Sequence, residues 1–174
     1  MDRDTQKHLV YDAEKLVAKQ LDAAARGVTT ARVAGSTLTV PLDIRFGSLD
    51  AVNAYLESVQ RTDWFAAAFP RAAAHPADAR QRRGNRKAHY EWGTIAVHEP
   101  DNEVGWAMRG LVVNHELAHH TRTLDGPAGG AAHDEHFVAH MLRITRETLG
   151  PEAELLLMVT YANSGVAMTP LVNA

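Results

Sequence analysis

Residues 112–120 read VVNHELAHH. Three histidines and a glutamate fall within six positions, directly after two valines. Imidazole and carboxylate groups are costly to bury unless something pairs with them. The apolar neighbours nevertheless point to a helix that packs into a core. A bound metal resolves the conflict. His115 and His119 are four apart, one helical turn, and so lie on one face. Two imidazoles so placed can converge on one ion, and Glu116 sits beside the first of them. Zinc lowers the pKa of a bound water toward neutrality, and a neighbouring carboxylate can take its proton.

Two nitrogens are too few for a catalytic zinc site, which has three protein ligands and an open position. The chain has no cysteine, so any further ligand is His, Asp or Glu. Fourteen residues beyond His119 comes HDEHFVAH, residues 133–140, after the turn-rich connector LDGPAGGAA. That connector lets the chain reverse. His133 is the first candidate for third ligand. Asp134, Glu135, His136 and His140 are the rivals.

Outward from this cluster, the pattern predicts α+β. Residues 5–26 place Leu9, Ala13, Leu16, Val17, Leu21 and Ala24 at helical spacing, ended by Gly27. VTTARV, STLTV and LDIRF between 28 and 46 read as two or three short strands. Ser48 caps a helix over 49–60. Thr62 or Asp63 caps a shorter one through Phe69, stopped by Pro70. Residues 71–87 read as a loop. AHYEWGTIAVH, 88–98, reads as a hairpin or paired strand bent at Gly93. The motif helix is expected from Asp101 or Asn102 to about Thr121. Two helices follow, at 134–148 and 151–163, separated by Gly150-Pro151. One domain is expected over 1–174.

Composition narrows the function classes. The chain has 174 residues, 45% apolar and 22% charged, with a net charge of −3. Nothing there draws it toward nucleic acid or an anionic membrane as a whole. The start, MDRDTQKHLVYDAEK, lacks an apolar signal core, and no apolar run reaches the length of a membrane span. A cytoplasmic location is expected. RQRRGNRK, 80–87, carries five positive charges. It reads first as a solvated loop, since no aromatic residues interleave as a base-stacking platform would need. Phosphate contact is the rival reading.

The paired motifs carry a resemblance. HELAHH at 115–120 with His133-x-x-x-Phe137-Val138 resembles the SprT-like branch of zinc metallopeptidases. There a third histidine, usually in an HGxxF-type motif, completes the site; here Asp134 stands where glycine is usual. The chain is also similar, over most of residues 2–148, to a group of short actinobacterial metallohydrolases. That similarity rests on RDTQKHLVYDAEKLV, on Tyr90-Glu91-Trp92, and on HELAHH with HxxxFVxxxLR. The resemblance implies a minimal zincin-like fold with a small mixed sheet packed on several helices, the HExxH helix central. It also implies Zn2+ on His115, His119 and His133. It supplies no substrate.

The first functional reading is therefore a zinc-dependent hydrolase, a metallopeptidase acting on a protein or peptide with Glu116 as general base. A binding or regulatory module with a structural metal is the second, and a DNA-associated SprT-like protease the third. Several residues carry alternatives of their own. His120 lies off the metal face and reads as a ligand-supporting or surface group. Tyr161 could donate to an oxyanion but reads first as a core tyrosine. Arg109 is assigned no catalytic role. Tyr90 and Trp92 read as strand residues, either core packing or the edge where a substrate strand pairs.

Overall fold

The first helix shows how far the periodicity is realised. In the computed structural model, which describes residues 3–82, 88–97 and 108–169, α1 spans Lys7–Ala25. It buries Val10, Ala13, Val17, Leu21 and Ala24, the stripe that three- and four-residue spacing requires. Leu16, expected on that stripe, is 50% exposed. Gly27, at φ 97°, ends the helix. Its N–H bonds the Ala24 carbonyl and that of Val28 bonds Ala23, the pairing of a Schellman stop.

The described residues form seven helices and five strands, an α+β protein. They divide into two compact units: residues 1–43 with 127–174, and residues 44–126. In the first unit α1 is followed by an antiparallel hairpin of β1 (Thr30–Val33) and β2 (Ser36–Thr39), turned through Ala34 and Gly35 at positive φ. α6 (Glu135–Leu149) and α7 (Pro151–Asn163) complete this unit, with α7 packed on both α6 and α1. Asp134 caps α6 by accepting from the Phe137 N–H at 3.0 Å. Gly150, at φ 98°, breaks the chain before Pro151 begins α7. The Tyr161 phenol lies wholly buried within α7 and donates to Glu14 Oε1 at 2.6 Å. It is a core residue, and its hydrogen is already committed.

The second unit begins with α2 (Leu49–Gln60), α3 (Asp63–Ala68) and α4 (Pro70–Ala74). Ser48 and Thr62 cap the first two, as their sequence positions suggest. A mixed three-stranded sheet follows in the order β3 (Asp78–Gln81), β5 (Thr94–Val97), β4 (His89–Glu91). Central β5 runs parallel to β3 and antiparallel to β4, and buries Ile95, Ala96 and Val97 completely. The motif helix α5 (Gly110–Asp125) packs against α4, β4 and β5.

Several expectations need correction. Part of the expected loop at 71–87 is ordered structure. α3 ends at Ala68 with Phe69 as its cap, just before Pro70 as expected, but Pro70 also opens α4, where its missing N–H costs nothing. Asp125 then accepts from the N–H groups of Arg71 and Ala72 at 2.9 and 2.8 Å. Residues 78–81 form β3 although only Ala79 is buried, because pairing with β5 rather than side-chain alternation makes the strand. Residues 83–87 lie outside those described. The motif helix also starts late. Its expected start at 101–102 is outside the described residues, but Arg109 is extended, in an antiparallel bridge with Arg45, and helix begins at Gly110. Among the described residues the same bridge is all that LDIRF contributes to strand pairing; Gly110 N–H bonds the Ile44 carbonyl and Phe46 N–H that of Met108. Finally, Trp92 is not on a strand. It forms the β4–β5 turn with Gly93, both at positive φ, and is 88% exposed.

Candidate metal centre

α5 is buried around most of its circumference. Leu111, Val113, Leu117 and Ala118 pack into the core as the apolar pattern anticipates. The polar members are buried too: His115 at 2% exposure, Glu116 at 3%, and Asn114 and His120 with them. Such a helix needs polar partners inside the protein. Asn114 accepts from the Tyr55 phenol of α2 at 2.6 Å. That bond fixes the turn immediately before His115.

His115 and His119 converge as their spacing requires. Their Nε2 atoms lie 3.2 Å apart, with rings nearly perpendicular at 78°. Two nitrogens about 2.0–2.1 Å from one tetrahedral ion would stand roughly 3.3 Å from each other. The observed separation matches that edge. His133 is 3% exposed and sits in the turn that precedes α6. The ligand atoms of His115, His119 and His133 all lie within 4.8 Å of one another, and the three could hold a metal ion. An all-imidazole set without thiolate suits a divalent transition-metal ion.

The other candidates for third ligand fall differently. Asp134 caps α6, and His136 and His140 are half-buried on the same helix. None of these, nor Glu135, belongs to the three-histidine group.

His133 has its own support, which sequence spacing could not reveal. Its Nδ1 meets Asp4 Oδ2 at 2.6 Å, across 129 positions of sequence. The Gln6 amide donates to its backbone carbonyl, while the rings of Tyr11 and Phe137 stand 5.4 and 4.9 Å from its own.

His120 is buried, not on the surface. Its Nδ1 lies 3.2 Å from the Tyr90 hydroxyl, which accepts from the Gly93 N–H at 2.9 Å. Burial lowers the His120 pKa. Burial likewise raises that of Tyr90. Arg109 is buried at the position just before α5. In the basic segment, Arg80 pairs with Glu91 at 3.0 Å and Arg82 donates to His89 Nδ1 at 2.7 Å. These two arginines therefore have partners within the protein, and the remaining charges, on 83–87, lie outside the described residues.

No family model matches this chain, and neither a curated protein nor a solved structure matches it. Among the described residues, no helix is long and apolar enough to cross a membrane.

Proposed function

We propose that this chain is a zinc-dependent hydrolase with a zincin-like, SprT-related catalytic centre, acting as a metallopeptidase on amide bonds of proteins or peptides in the cytoplasm. The observation that supports it is the gathering of His115, His119 and His133 around one point, with Glu116 next in sequence to the first of them. A divalent cation held by these imidazoles would supply Lewis-acid polarisation of a carbonyl and activation of water.

The residues divide the remaining work. The three histidines hold the ion in their neutral form, which satisfies them inside an apolar helix packing. Glu116, 3% exposed, is the proton carrier: its carboxylate takes a proton from the attacking water and delivers it to the leaving amine. Among the described residues the group has three members. Three protein donors are the complement of catalytic zinc, whereas structural zinc is closed by four. That number favours the enzyme over a module with a purely structural metal.

The test is Glu116→Gln in the full chain, assayed on a fluorescently labelled unfolded protein. Zinc should remain at about one per chain while hydrolysis falls by at least ~100-fold, the lower range for loss of a general base. Unchanged hydrolysis would remove Glu116 from the mechanism. Absence of both zinc and hydrolysis in the wild-type protein would remove the proposal itself.

A further inference from the structure

His115 and His119 are set by a single helix, but His133 stands in a turn where no helical repeat orients its ring. Its orientation comes from the beginning of the chain. Asp4 Oδ2 lies 2.6 Å from His133 Nδ1, and the Gln6 side chain donates to the His133 carbonyl while accepting from the Ala167 N–H at 2.8 Å. Tyr11, on the first turns of α1, packs against the same ring. Residues 4, 6 and 11 thus hold the ring and the backbone of one histidine. The other Asp4 oxygen, Oδ1, is buried and has no hydrogen-bond partner among the described residues. Leaving a buried carboxylate oxygen unpaired is costly, and the contact that keeps it there is the one to His133.

We propose that Asp4 is the positioning residue for the third metal ligand. Its carboxylate accepts the Nδ1 hydrogen, which fixes the tautomer in which Nε2 carries the lone pair and raises the basicity of that nitrogen. The inference rests on the three histidines being a metal centre. It adds that their affinity depends on a carboxylate lying before α1, outside both histidine motifs.

Two measurements on the full chain test this. The first is zinc affinity, from titration of metal-free protein against a chelating indicator. Asp4→Ala should weaken zinc by about 10- to 100-fold, the range for losing such a partner. Asp4→Asn keeps an acceptor oxygen without the charge and should fall between Asp4→Ala and the wild type. The second is the tautomer of His133 in metal-free protein, read from the ring-nitrogen shifts. The wild type should show protonated Nδ1 and bare Nε2, and Asp4→Ala a mixture, a change that loss of packing alone would not produce. Wild-type zinc affinity in Asp4→Ala overturns the proposal, as does an unaltered tautomer. If Asp4→Ala does not fold, Asp4→Asn decides on the same two readouts. A wild-type protein that binds no zinc removes the metal-centre reading, and this proposal with it. A wild type that binds zinc while Asp4→Ala is unaffected removes only this proposal.

Discussion

His115 and His119 face each other through their Nε2 atoms at 3.2 Å, on a helix whose neighbouring side chains are almost all buried. An ion held between two imidazole nitrogens this close would stabilise the fold that brings them together. Zinc should therefore stabilise the folded protein by mass action, by about 2.7 kcal/mol when free zinc is 100 times the dissociation constant. His119→Ala removes one ligand and should abolish that gain, with zinc content falling from about one per chain toward zero. Thermal unfolding with and without zinc checks both. Equal zinc stabilisation of wild type and variant would show that the ion binds elsewhere.

Tyr161 donates to Glu14 inside the first unit, and its pKa is raised well above the usual value, first by burial and then by the adjacent Glu14 carboxylate. The sign of the stability effect follows. Above about pH 10 the unfolded chain loses the phenol proton while the folded chain keeps it. Unfolded protein then binds fewer protons, so stability falls as pH rises, by at most ~1.4 kcal/mol per pH unit from this group. Below pH 10 the contribution is fully present. Tyr161→Phe should be less stable than wild type at pH 8, and the gap should narrow between pH 10 and 11. Urea unfolding at both values measures it; a gap independent of pH would contradict the assignment.

The pairing of His115 and His119 was legible because it is local, a four-residue spacing on one helix; the connector offered His133 among several neighbours, and it was the resemblance carried by His133-x-x-x-Phe137-Val138 that put it first. The caps at Ser48 and Thr62 and the bounds of α2 and α7 were legible as local signals too. What lay beyond reach was non-local. β3 carries one buried side chain and is a strand only because β5 pairs with it. Arg109 has no local signal for extended backbone; its bridge partner is Arg45. Asp4 is bound to His133 across 129 positions, with no repeat or spacing to relate them. Pro70 marks the end of α3 in the sequence, but that it also begins α4 depends on the Asp125 carboxylate, 53 positions from Ala72, which accepts from the first free N–H groups of that helix.

Gly27 stops α1 at φ 97°, and an added Cβ would meet no atom within 4 Å. Space is thus not the constraint; the backbone is. Gly27→Ala should cost about 1–2 kcal/mol through the left-handed conformation alone. Helix content should be retained, because the two N–H bonds to Ala23 and Ala24 do not involve a side chain. Unfolding midpoints and far-ultraviolet dichroism test this together. A variant as stable as wild type would mean that the turn relaxes without strain.

Asn53 of α2 accepts from the Ala79 N–H at 2.7 Å and donates to its carbonyl at 3.1 Å. A side-chain amide here does what a neighbouring strand would do for β3. Since β3 otherwise pairs only with β5 among the described residues, the amide closes its outer edge. Asn53→Ala should cost about 1–3 kcal/mol, the range for leaving buried polar groups unpaired. Asn53→Asp should fall short of full rescue, because a carboxylate accepts from the N–H but cannot donate to the carbonyl. Hydrogen exchange separates the effect from general destabilisation: the Ala79 amide should lose protection in Asn53→Ala and keep most of it in Asn53→Asp. Equal protection of that amide in all three proteins would show that β5 alone holds β3 in place.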